Sequence, residues 1–127
     1  MGPNPAATAV AHLYQLSGAA FDQRFAIMAI NIRRELLEHV VNTPAELHAD
    51  TEDLLSDMSS GLIRVQVAAC RAACLTEGQE LDFETRLDNC LAEAVDIVRQ
   101  CIDNYGEHRS PAFQQETAAQ LGIPVVQ

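Results

Sequence analysis

The feature that most constrains this chain is its helix punctuation. Asn4-Pro5, Thr43-Pro44 and Ser110-Pro111 each place a capping side chain directly before a proline. An Asn, Thr or Ser at the N-cap accepts a hydrogen bond from a free amide of the first turn. Proline suits the first helical position, where its missing N–H costs nothing. Between these starts the apolar residues recur at helical spacing, and no segment alternates with period two for long enough to argue a strand. The expected fold is therefore all-α: an antiparallel helical bundle of about four main helices with short flanking helices and short connections.

The first helix is expected over residues 5–16, ended by Ser17-Gly18. The second, over 19–41, carries two apolar stripes. Phe21, Phe25, Met28, Ile32 and Leu36 form one, and Ile27, Ile30, Leu37 and Val41 lie nearly opposite. A helix apolar on two sides is either central or shared with a partner chain, so a homodimer or higher homo-oligomer is expected. Thr43-Pro44-Ala45-Glu46 fits a capping box, opening a third helix over 44–76. Its weak point is Ser59-Ser60-Gly61, since Gly inside a helix costs about 1 kcal/mol against Ala. Leu47, Leu54, Met58, Leu62, Val65, Ala69 and Ala72 mark one face, and Ile63, Val67, Cys70 and Cys74 mark a second. Glu77-Gly78 reads as a helix stop, and Asp82 as the next cap with Leu81 as its hydrophobic staple. The fourth helix then covers 83–104 and ends at Gly106. Ser110-Pro111 opens a last short helix through Leu121. Gly122, Ile123 and Pro124 follow it as C-cap, hydrophobic contact and terminator. The reading is one domain, 1–127, with 1–4 and 123–127 as flexible or docking tails.

Composition narrows the function. Of 127 residues, 18 are acidic and 8 basic, a net charge of −10, and every base is Arg. A phosphate-binding surface needs clustered Lys and Arg, so direct binding to nucleic acid or an anionic membrane is not expected. Arginine in place of lysine, with abundant alanine, suits a GC-rich bacterial or phage genome. The N-terminal segment lacks a basic region and contains Pro3 and Pro5, which argues against a signal peptide. No apolar run reaches the roughly 18 residues of a membrane span. The expected compartment is the cytoplasm, where thiols stay reduced.

The acids are unevenly placed. From Glu35 to Ile63 there are seven acids and no Arg. A solvated face and helix N-termini account for part of this. The functional reading is a surface that steers toward a basic partner, with Glu46, Asp50, Glu52, Asp53 and Asp57 as the docking residues. The partner would be another protein, a basic nucleic-acid-binding one being the case in which acids stand where phosphates normally lie.

A second constellation depends on register. In a hairpin turning at Thr43, His39 faces His48 and Glu35 faces Glu52. Each Glu–His pair is four residues apart on one helical side. Glu35, His39, His48 and Glu52 would then form a site for a first-row transition metal such as Zn. The cysteines raise a similar question. A hairpin centred near residue 80 brings Cys90 opposite Cys70, with Cys101 three turns on and Cys74 on the Cys70 face. Their other reading is as small buried hydrophobes in an Ala-rich stretch.

There is no Gly-rich phosphate loop, no Gly-x-Ser-x-Gly and no His-Glu-x-x-His. The expected function is that of a non-enzymatic, cofactor-free acidic binding protein, a regulator or inhibitor acting through protein–protein interaction. The alternatives are a metal- or small-ligand-binding bundle and a structural homo-oligomeric subunit.

Overall fold

The computed structural model describes residues 4–42, 50–105 and 110–124. These form five helices and, among the described residues, no strand: α1 (Pro5–Leu13), α2 (Gly18–Asn42), α3 (Thr51–Ala72), α4 (Glu77–Tyr105) and α5 (Pro111–Leu121). The all-α bundle is built from the three long helices α2, α3 and α4, with the two short ones packed against them. α3 runs antiparallel to α2 and α4. Its Glu52 meets Arg99 of α4, and its Asp57 and Gly61 share a groove with His39 and Glu35 of α2. α2 and α4 run parallel, since Arg33 meets Glu93 and, further back, Phe21 meets Arg86.

Local chemistry sets most boundaries. The Asn4 side chain accepts from the amides of Ala6 and Ala7 at 3.0 and 3.3 Å, opening α1. Ser110 does the same for the Phe113 amide at 3.1 Å, opening α5. At the far end of α5, Gly122 adopts the left-handed conformation (φ 71°), and the Ile123 amide donates back to Ala118 O at 2.9 Å. That closure turns Ile123 into the core, so the start of the predicted 123–127 tail is packed on its own chain. Residues 1–3 and 125–127 of the predicted tails lie outside the described residues.

Boundaries in α1, α3 and α4 differ from the sequence reading. α1 stops at Leu13, with Tyr14 as its C-cap, rather than reaching residue 16. α3 starts at Thr51, where Asp50 is extended (φ −150°, ψ 169°) and its carboxylate accepts from the Asp53 amide at 2.8 Å. No helix runs unbroken over 44–76. The Thr43–Glu46 capping box itself lies outside the described residues. α3 passes through Ser59-Ser60-Gly61 without a break.

α4 starts at Glu77, not at residue 83, because Thr76 and Gln79 form a capping box. The Gln79 amide donates to Thr76 Oγ1 at 3.2 Å, and the Thr76 amide donates to Gln79 Oε1 at 3.1 Å. Two otherwise orphaned donors are satisfied reciprocally, which outweighs the cost of Gly78 in the first turn. Asp82 is thus inside the helix, and Leu81 is 66% exposed rather than a staple. The turn before α4 uses Cys74 in the left-handed region (φ 58°), a position more often filled by glycine.

The core is one cluster to which every helix contributes, with Leu13, Leu36, Leu55, Phe83, Leu87 and Phe113 among its most buried side chains. α2 contacts all four other helices. Its second apolar stripe finds cover within the chain. Leu37 is buried, and Leu37 and Val41 line a small cavity closed by Ala118, Ile123 and Pro124 of the α5 region. Only the Ile27 end of that stripe is mostly exposed, at 52%. The two-sided helix that motivated an oligomer is explained by a fifth helix. On α3 the expected face is buried at Leu54, Leu62 and Ala69, with Leu55 added to it, while Val65 is 56% exposed.

Tyr14 ties α1 to the bundle. Its hydroxyl donates to Asp82 at 2.6 Å, and the same carboxylate accepts from Arg86 Nε at 3.0 Å. The Arg86 guanidinium lies 4.8 Å from the Phe21 ring centre, a cation–π contact to α2. Burial first, and then the Asp82 carboxylate, push the Tyr14 pKa well above its ordinary value.

Candidate functional site: a groove between two helices

Each pair of long helices leaves a groove at its seam. The α2–α4 groove, about 250 Å³, is lined by Arg33 and Arg86 as well as Glu93. The α3–α4 groove, about 330 Å³, has Ile63, Leu91 and Val95 beneath Asp88, Asp96 and Arg99. The α2–α3 groove, about 300 Å³, has Met58, Leu62 and Val65 beneath Glu35, His39 and Asp57, with Gly61 between them. Of the three, α2–α3 alone has no arginine among its described lining residues.

The predicted docking acids divide among different tasks. Asp50 is the N-cap of α3. Glu52 faces α4, where it accepts two bonds from Arg99, from Nε at 2.7 Å and Nη2 at 3.1 Å. Arg99 also donates to Asp96 at 2.8 Å. Asp53 is exposed on the first turn of α3, and Asp57 lines the α2–α3 groove. Glu46 lies outside the described residues. Of the predicted docking acids, Glu52 is thus taken up by Arg99, whereas Asp53 is exposed and Asp57 borders the α2–α3 groove.

The predicted metal set is not assembled by the register the structure adopts. Glu35 and His39 share their groove with Gly61 and Asp57, not with Glu52, which belongs to the Arg99 cluster. His48 lies outside the described residues. The shift follows from the late start of α3: α2 ends at Asn42 and α3 begins only at Thr51, so opposite numbers move. No group of three His, Cys, Asp or Glu suited to a metal occurs among the described residues.

The cysteines do not converge either. All four are free; Cys70, Cys90 and Cys101 are buried and Cys74 is exposed. The Cys90 thiol points toward α2, 4.0 Å from Ala29 O, instead of facing Cys70. Burial pushes the Cys90 thiol up, against an opposing pull from Arg33. Cys70 is raised by burial and by the charges of Glu80 and Glu84. Raised thiols are poor nucleophiles and poor metal ligands at neutral pH.

Sequence reasoning placed Met58, Leu62 and Val65 on one apolar face of the third helix and treated Gly61 only as a weak point. It missed that they line an open groove with Glu35 and Asp57. The available signal was the run of small residues at 59–61 on an otherwise apolar face. Comparison with family models, with curated proteins and with solved structures returns no match, so the functional reading rests on the residues themselves.

Proposed function

We propose that the chain is a non-enzymatic acidic binding protein that regulates or inhibits a basic protein partner by occupying its surface. A nucleic-acid-binding protein, whose surface is already built to receive phosphates, is the partner class that fits. The observation that carries this reading is the α2–α3 seam, where an apolar floor lies under Glu35 and Asp57, with Asp53 exposed on the same helix and no arginine among the described lining residues. Carboxylates beside accessible apolar surface supply the two things such an interface needs. Charge speeds encounter and fixes orientation, and apolar contact slows release.

The test is charge reversal. An arginine-rich peptide is titrated into the protein by fluorescence anisotropy at several salt concentrations. Asp53→Lys with Asp57→Lys should weaken binding by about tenfold or more and flatten its salt dependence. Unchanged affinity and slope in that double variant would remove the acidic-face reading.

A further inference from the structure

We propose that the seam between α2 and α5 binds a small free carboxylic acid, its short alkyl group in an apolar slot and its carboxylate on Arg34. Leu37 and Val41 of α2 form one wall of the slot, and Ala118, Ile123 and Pro124 form the other. The slot lies on the α5 side of α2, so the inference does not rest on the α2–α3 reading.

Arg34 lines this slot without a counter-ion. Arg33, Arg86 and Arg99 each hold a carboxylate. Arg34 makes no ion pair among the described residues, and its Nε is buried with no hydrogen-bond partner. Glu38 stands one turn further along the same helix and lines the same slot, yet no ion pair joins the two. A guanidinium that has already shed part of its water and holds no acid favours an incoming anion. Much of the desolvation that binding would cost is complete before the anion arrives.

The slot is small and firmly built. Its α5 wall is fixed by the Gly122 turn, where the Ile123 amide donates to Ala118 O at 2.9 Å. Leu37, Ala118 and Ile123 are buried, so little has to be ordered when a ligand enters. The volume is about 50 Å³. A water-sized position takes roughly 10–15 Å³, so there is room for about four of them, the extent of a chain of about four carbons.

Charge selects the head group. A single guanidinium presents a planar fork of N–H donors that matches one carboxylate. Glu38 at the rim and the net charge of −10 oppose a dianion such as phosphate. An uncharged ligand of the same shape would fill the slot but leave Arg34 unpaired.

The experiment titrates isovalerate into the full chain and follows the methyl resonances of Leu37, Val41 and Ile123 by NMR. Saturable shifts are expected at about millimolar concentration, the range open to so small a ligand. Isovaleramide, its uncharged isostere, should bind about tenfold more weakly. Arg34→Gln should remove the preference for acid over amide while resonances elsewhere stay in place, and Arg34→Lys should keep part of it. From acetate through butyrate to hexanoate, affinity should rise and then level off as the slot fills. Equal binding of acid and amide, or of isovalerate and inorganic phosphate, would overturn the proposal, as would the absence of a saturable shift with any acid. N-acetylvaline carries the carboxylate of a peptide C-terminus. Tighter binding of it than of isovalerate would overturn the assignment to a free acid and give the slot to a chain end.

Discussion

The two flanks of α3 are built from similar materials and end with different characters. Both are grooves of about 300 Å³ with apolar floors and two carboxylates at the rim. On the α4 side, Arg99 holds Glu52 and Asp96 together in one exposed cluster. On the α2 side, Glu35 and Asp57 line a groove with no arginine among its described residues. One guanidinium thus distinguishes a seam whose acids are drawn together by an arginine from one with no arginine among its described lining residues. Acid count is a poor guide to where an acidic protein can bind, because the placement of a few bases determines which acids act beyond the chain.

The sharpest way to break this comparison is to ask whether α3 is open only along its flanks. Cys70 lies on its sealed inner face, Cys90 and Cys101 are buried on α4, and Cys74 is exposed at the end of α3. In the native protein one thiol should react with a disulfide reagent orders of magnitude faster than the other three, which wait for unfolding. Rapid labelling of two or more would mean that the bundle opens and that the flanks are not distinct surfaces.

A smaller effect comes from charge. Reversing Asp88 and Asp96 on the α4 side should change arginine-peptide affinity by much less than reversing Asp53 and Asp57. Equal losses would reduce the interaction to net charge alone.

Next in size is Gly61→Ala. With open space above the Cβ position, it should stabilise the fold by about 1 kcal/mol, raising the melting temperature by a few degrees. A destabilised variant would mean that the groove floor is already filled.

The buried thiols give a pH test of the inner face. Burial raises both Cys70 and Cys90, so the folded state holds these protons more tightly than the unfolded chain does. Their contribution is fully present below the unfolded thiol pKa of about 8.5 and is lost as pH rises through the folded values. The melting temperature should fall on the alkaline side, and fall less in Cys90→Ala than in the parent. An identical alkaline slope in that variant would take Cys90 out of the account.

The smallest effect expected is that of Arg99→Ala. Its ion pairs are exposed, so the loss should stay under about 1 kcal/mol. The same change should raise affinity for the arginine peptide by freeing Glu52 and Asp96. If it leaves affinity untouched, the α4 flank is closed by shape and not by charge.

Much of this was legible one turn at a time. Asn4, Ser110 and Gly122 act through atoms only a few residues away, so the ends they define could be read without a fold. Thr76 and Gln79 obey the same local rule, and their box was legible too, but Gly78 beside it drew attention as a stop. The candidate site was less legible. Glu35 was singled out for a metal set, and Asp53 and Asp57 for a docking face, so the pairing of Glu35 with Asp57 was not foreseen. Their grouping depends on how far α3 slides along α2, and a few residues in the connection move every opposite pair.

By itself, then, the sequence determined the all-helical fold, the capped ends of α1 and α5, the acidic balance and the apolar periodicity, because each depends on neighbours within a turn or on composition. Tertiary structure decided that α5 covers the second face of α2 and that Arg99 reaches Glu52 across a helix seam. It also decided that Gly61 lies at the bottom of a groove instead of at a kink. Those facts depend on the angle and register between helices, which are set by packing the whole core at once, and no local stretch of chain contains that information.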